Sequence, residues 1–214
     1  RPVSIGGDHS ITGPILKALA GKDAKTTKGR KCALLHFDAH RDDYEHIPHW
    51  LGAERSAAHW AAYTVTEQHV DPEHSVQIGM RGNPIRPRKD LNFSKLGYRL
   101  IPADEFFEIG VEKTIEIIRE RVGDMPLYIT FDLDCLDPAD APAVSNLEPL
   151  HEGLRASQIV KIFHGLRGLD IIGGDIVCMI PTKDNPNNIT AMNAMAIMFE
   201  MAALIADNID KGRR

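Results

Sequence analysis

Cysteine is scarce in this chain of 214 residues, and the three present, Cys32, Cys135 and Cys178, form no CxxC pair. An odd, scattered set of thiols gives no disulfide framework and suits a reducing cytoplasm. Positive charge is in deficit as well. Lys and Arg total 25 against 30 Asp and Glu, leaving a formal charge of −5 and a pI of about 6.1. A general nucleic-acid binder carries a basic face, so nucleic acid is not expected as a partner. No apolar run reaches transmembrane length and the first residues lack a signal-peptide pattern, so no membrane association is expected. Low-complexity tracts and internal repeats are absent. So is a starting methionine: the chain opens RPVSIGGDHS and enters a strand-like segment at once, which is expected either of a processed chain or, the favoured reading, of a longer protein with elements ahead of residue 1.

What is present is ordinary for a globular protein. Hydrophobic residues make up 43% and charged residues 26% of the chain, enough for one substantial core in a single domain over 1–214. Short apolar runs alternate with helical patterns. Strands are expected over 2–5, 32–38, 75–80, 98–102, 126–134 and 169–180. Helices are expected over 10–19, 57–68 (with Ser56 as its cap), 110–122, 156–168 and 187–207, the last mostly buried, with Met192, Met195, Met198 and Met201 as core or subunit-interface packing. The polar segments 21–31 and 81–90 read as exposed loops. Alternation of this kind indicates an α/β protein with a largely parallel sheet and helices on both faces.

Three segments share one grammar, an apolar strand followed by polar residues at its carboxyl end: SIGGDHS, LLHFDAHRDDY and YITFDLDCLDP. In an open α/β sheet those ends form the ligand crevice. Side chains alternate along a strand, so Asp38, His40 and Asp42 are expected on one side, and Asp132 and Asp134 likewise. With His9 the set is four carboxylates and two imidazoles, and their convergence without a cation would be heavily penalised. Oxygen-rich donors with some imidazole suit manganese better than structural zinc. Six such ligands suffice for two divalent ions roughly 3.5 Å apart, which acidify a bridging water into a hydrolytic nucleophile. A turn or cap explains any one of these motifs alone; three at successive strand ends point to a dinuclear site.

The same residues resemble the ureohydrolase (arginase/agmatinase) family. The motifs stand as Gly6-Gly7-Asp8-His9-Ser10, as Asp38-Ala39-His40-Arg41-Asp42, and as the run TFDLDCLDP at 130–138. The likeness extends over essentially the whole chain. It implies metal ligands at His9, Asp38, His40, Asp42, Asp132 and Asp134, and a three-layer α/β/α fold around a mostly parallel sheet. It also implies two manganese ions (nickel in some branches), hydrolysis of a small-molecule guanidino substrate to urea and an amine, and assembly as trimers or hexamers. Asp134 is the candidate for steadying the nucleophilic water and relaying its proton. Asp8 and Asp137 are assigned to turns or to outer contacts.

Departures from the family pattern bear on the substrate. The loop after the third motif reads APAVSNLEP (141–149), with Ala143 and Ser145 where glycines are usual. In DIVCMIP (175–181), Cys178 takes the place of a glutamate expected to contact the guanidinium. Cys178, Glu148 and Asn146 are therefore the candidate substrate-facing residues, Glu148 as a substitute acid or else as a solvated surface acid. The position usual for a proton-shuttle histidine falls on Ala57; His49 and His59 are the alternatives, with His46 nearby, and each is otherwise an ordinary surface residue. Trp50 and Trp60 would suit a planar guanidinium as aromatic walls. The expected substrate is guanidine, an alkylguanidine or a guanidino acid, with agmatine as the alternative. The rival readings are a non-catalytic partner subunit of an active paralogue and an amide hydrolase on a similar scaffold.

Overall fold

The alternation inside β2 (Ala33–Phe37) sets the layering of the molecule. Ala33, Leu35 and Phe37 pack into one apolar cluster, whereas Leu34 joins a second cluster on the opposite face. The computed structural model, which describes residues 1–45, 52–82, 94–149, 151–210 and 212, shows six parallel strands between these clusters. Besides β2 they are β1 (Val3–Ile5), β3 (Val76–Ile78), β4 (Arg99–Ile101), β5 (Leu127–Asp132) and β6 (Ile171–Val177), in the order β1-β6-β5-β2-β3-β4. Every residue of β2, β5 and β6 is buried, as expected for parallel strands covered on both faces.

Helices α1 (Thr12–Leu19) and α2 (Trp60–Thr66) cover one face through Leu16, Trp60 and Ala61. The other face carries α3 (Ala103–Val122), α4 (Ala156–Gly165) and α5 (Ile189–Asp210) through Phe106, Ile118, Ile159, Phe163, Ile197 and Met201. The three-layer α/β/α arrangement is therefore present. From β2 the chain steps outward to β3 and β4, then returns to β5 beside β2 and proceeds the opposite way to β6. The reversal places a topological switch point between the carboxyl ends of β2 and β5, where a parallel sheet opens a crevice.

Several boundaries differ from the sequence reading. α3 begins at Ala103, seven residues early, after Pro102 and with Asp104 and Glu105 in its first turn; Gly110, at φ 77°, interrupts it. α2 starts after Ser56 because that hydroxyl lies against His59 Nδ1 (2.8 Å) rather than capping a helix. The 21–31 segment is a chain of turns with Ala24 and Thr27 buried. α5 is not mostly buried: Ile197, Met201, Leu204 and Ile205 form its inner stripe, while Met192, Met195 and Phe199 are exposed. Its 22 residues also have the length and mean hydropathy (1.7) of a membrane span, which the sequence reading had not anticipated. Its inner stripe nevertheless packs within the cluster on the β5–β6 face.

α5 approaches β6 closely because Gly174 has no side chain. A Cβ there would stand 2.7 Å from the Ile129 carbonyl oxygen and 2.9 Å from Met201 Sδ. Gly174→Ala is expected to destabilise the fold by about 1–3 kcal/mol. Gly7→Ala, where an added Cβ meets nothing within 4 Å, should change stability by no more than about 0.5 kcal/mol. Urea denaturation midpoints of the two variants check the contrast.

Candidate metal centre

Because the strands are parallel, β1, β2, β5 and β6 all release their chains at one edge of the sheet. After β1, Asp8 accepts a hydrogen bond from Ser10 N (2.9 Å), starting a 3-10 turn that carries His9 inward. β2 stops at Phe37, so strand alternation does not align the next residues, contrary to the sequence reading. A turn brings them together instead: Asp38 Oδ1 accepts from His40 N at 2.6 Å, and Asp42 adopts φ 51°. That left-handed conformation is one that Asp tolerates better than most residues. Asp132 ends β5, and its Oδ1 accepts from Asp134 N (2.8 Å) as a second 3-10 turn begins. Ala39 N donates to Asp134 Oδ1 (3.0 Å), which stitches the two loops across the switch point.

All six residues expected as ligands are brought together. His9 Nδ1 lies 3.1 Å from Asp38 Oδ2, 3.2 Å from Asp42 Oδ2 and 3.2 Å from Asp132 Oδ2. His40 Nδ1 lies 3.2 Å from both Asp38 Oδ1 and Asp134 Oδ2. Asp38 thus turns one oxygen to each imidazole. Among the described residues, three donor sets have their ligand atoms within 4.8 Å of one another: His9–His36–Asp38–Asp42, His9–Asp132–Cys178 and Asp38–His40–Asp134.

The hydrogen bonds around His9 test whether cations fit. Asp175, wholly buried, accepts from Thr12 Oγ1 (2.9 Å), Tyr128 OH (2.7 Å) and Thr130 Oγ1 (2.6 Å). Thr130 has a single hydroxyl proton and gives it to Asp175, so its oxygen accepts from His9 Nε2–H at 2.9 Å. His9 Nδ1 then faces three carboxylates, buried, with no hydrogen bond of good geometry. A nitrogen lone pair against three anionic oxygens is repulsive unless a proton or a shared cation lies among them, and the donor set suits a divalent metal. Burial lowers the pKa of His9, but Asp132, Asp38 and Asp42 more than reverse this and hold it well above the ordinary value. His40 is likewise raised against its burial by Asp134 and Asp38. Asp134 is pushed well up by burial and by Asp132 and Asp38, and Asp42 is raised by burial and Asp38. For Asp38, burial is outweighed by hydrogen bonds from His36, His40 and His9, and its pKa falls well below the carboxylate range.

Sequence reasoning missed the residues that orient these donors. Gln77 Nε2 donates to the Arg41 carbonyl (2.8 Å) and to His36 Nδ1 (2.9 Å), so His36 presents Nε2–H to Asp38 Oδ2 at 2.8 Å. His36 therefore positions Asp38 and has no free lone pair for a metal. The Trp60 indole N–H donates to Asp42 Oδ2 (2.9 Å) and the ring packs on His9 and His36. It is fully buried, which excludes the expected role as a wall for substrate. The available signal was polarity inside apolar strands: His36 in ALLHF, Thr130 in LYITFD and Asp175 in IIGGDIV.

Of the remaining candidates, Glu148 and Cys178 border the site. His59 is buried, pairs with Ser56 and belongs to none of the donor sets; His46, His49 and Trp50 lie outside the described residues. Glu148, at φ 47°, is half-buried with Oε1 3.0 Å from His40 Nε2, so it is not a solvated surface acid. Asn146 is exposed two residues before it. Asp137 accepts from Ala139 N (2.9 Å) and Gly153 N (3.2 Å), the turn role expected of it. Cys178 leaves β6 at φ 67°, its N–H bonded to the Gly7 carbonyl (2.6 Å), with its thiol beside His9 and Asp132. Burial and the Asp132 and Asp134 charges push that thiol's pKa up.

Such a fold, with acid and imidazole side chains at the switch point of a parallel sheet, defines an α/β protein with a candidate metal centre. The chain belongs to the arginase family, whose model matches residues 1–203. It is 36% identical over 211 residues to guanidinopropionase of Pseudomonas aeruginosa, covering 97% of this chain and 61% of that protein. It is 39% identical over 204 residues to agmatinase of Neisseria meningitidis serogroup C, covering 95% and 59%. The solved proclavaminate amidino hydrolase of Streptomyces clavuligerus superposes with a TM-score of 0.81 at 31% identity, covering 96% of this chain and 63% of that one. The chain thus spans about three-fifths of the length of these relatives.

Two outcomes follow from the site. His9 and His40 keep their protons above the ordinary value of 6.5 in the folded chain, and Asp42 and Asp134 above 3.8. The folded state then binds more protons than the unfolded state as pH rises, so the slope of stability with pH is negative. Asp38 has the opposite sign, but its contribution is lost only as pH falls below 3.8. With chelator present, Tm should fall as pH rises from 6.5; with saturating manganese it should rise, because ligands must shed protons to bind. Thermal melts across that range decide. In the second case, Thr130→Val removes the oxygen that holds His9 and should lower divalent-ion affinity about 10–100-fold by calorimetric titration.

Proposed function

We propose that this chain carries the active site of a dinuclear metal hydrolase that cleaves a guanidino compound to urea and an amine. The observation that carries this reading is His9 Nδ1, buried and without a well-formed hydrogen bond, among Asp38, Asp42 and Asp132. His9, Asp38, Asp42 and Asp132 would hold one ion, and Asp38, His40 and Asp134 the other. Two manganese ions, or nickel, held by these residues would acidify a water to a nucleophile near neutral pH and would offer positive charge where negative charge develops. Asp134 takes that water's proton and hands it to the leaving amine. His59, beside Trp60, and His49 are the candidates for passing a proton onward.

Substrate choice rests on the crevice wall. Glu148 at His40 supplies a carboxylate for a guanidinium, while Cys178 withdraws the acid expected at its own position. This balance favours guanidine, an alkylguanidine or a guanidino acid, with Cys178, Glu148 and Asn146 as the substrate-facing set. Relatives named guanidinopropionase and agmatinase support the class and keep agmatine as the second reading. Free thiols at all three cysteines support a reducing, cytoplasmic setting. Assembly into trimers or hexamers would account for the exposed Met192, Met195 and Phe199.

Urea release from guanidine, methylguanidine, guanidinopropionate, guanidinobutyrate, agmatine and arginine, with manganese and with nickel, tests the reading. One compound should yield urea, and Glu148→Gln should raise its KM by about tenfold or more. Absence of urea from every compound with two ions bound would refute the reading in favour of a partner subunit or an amide hydrolase.

A further inference from the structure

Cys178 stands where a substrate-binding acid was expected, yet its surroundings are those of a donor to metal. It takes a left-handed backbone conformation (φ 67°), unfavourable for a residue with a Cβ, and its N–H is tied to the Gly7 carbonyl at 2.6 Å. That turn couples the end of β6 to the loop that delivers His9. The sulfur lies within 4.8 Å of donor atoms of both His9 and Asp132. His9 Nδ1, the buried nitrogen without a hydrogen-bond partner, is aimed into the same group. The other two cysteines are fully buried and belong to none of the donor sets found among the described residues. A thiol placed to bind only a guanidinium would need no converging imidazole and carboxylate.

We propose that Cys178 is a thiolate ligand at the position held by His9 and Asp132, which gives one of the two sites a soft donor. This rests on the dinuclear reading of the centre and goes beyond it by assigning a ligand and a selectivity. As the sulfur–metal bond forms, the thiol S–H bond breaks and its proton leaves to solvent, one proton per chain. Soft thiolate strengthens the preference for nickel, cobalt or zinc over manganese at that position, beyond that of the Asp38–His40–Asp134 set, which is all oxygen and imidazole.

The test is cobalt substitution of the purified protein, read by metal stoichiometry and by near-ultraviolet absorption, where thiolate-to-cobalt charge transfer gives an intense band. The wild-type chain should bind two cobalt ions and show the band. Cys178→Ser and Cys178→Ala should still bind two ions and lose it, and in equilibrium dialysis both should shift their preference from nickel towards manganese. Two bound cobalt ions with no band in the wild type would overturn the thiolate assignment and leave the dinuclear reading standing. A band that survives in either variant would overturn it equally. Failure of the wild type to bind cobalt, nickel or manganese at all would refute both readings together.

Discussion

Concentrated negative charge between the ends of β2 and β5 is the constraint on which the rest of this structure depends. Asp38, Asp42, Asp132 and Asp134 are buried within a few ångströms of one another and of two imidazoles. Like charges at this spacing do not remain together without forces that hold them. The fold provides those forces as hydrogen bonds from a loop, a helix and a strand: Ala39 to Asp134, Trp60 to Asp42, His36 to Asp38. Each comes from a different element, so the sheet order, the two helices on one face and the polar strand residues all serve one arrangement.

This division of labour explains why the two faces of the sheet differ. The face under α3, α4 and α5 is apolar throughout, built from Leu35, Phe37, Ile129, Phe131 and their helix partners. The face under α1 and α2 combines Leu34 and Tyr128 with His36, Thr130 and Asp175. Buried polar groups are tolerated there because most are hydrogen-bonded within the network, with His9 Nδ1 and Gln77 Oε1 as exceptions.

Much of this was legible in the sequence. Apolar runs followed by acids identified the strand ends, and the six donors converge as their motifs implied. What the sequence concealed was how they converge. Strand alternation is a local rule, and the chain leaves β2 before Asp38 and turns at Asp42, so the geometry comes from a loop whose conformation depends on Trp60, distant in sequence. Trp60 itself looked like a wall for substrate because nothing local shows which way an indole points. The first half of α3 was hidden by Gly110, which breaks the apolar stripe, although Pro102 with Asp104 and Glu105 marked its start. Glu148 gave no sign of its contact with His40, since a loop acid at φ 47° acquires a partner only through tertiary structure.

The candidate donors run from residue 9 near one end to residue 178 near the other, and β3 and β4 intervene in sequence between the strands β1 and β2 and the strands β5 and β6 that carry them. No hairpin or single βαβ unit contains them, so the centre assembles only when β5 has paired with β2 and β6, and β1 with β6. High contact order of this kind slows folding and leaves clustered acids exposed on incomplete intermediates. If the proposed cations bind as the chain folds, their supply during biosynthesis would govern how much native protein accumulates, separate from any demand of turnover.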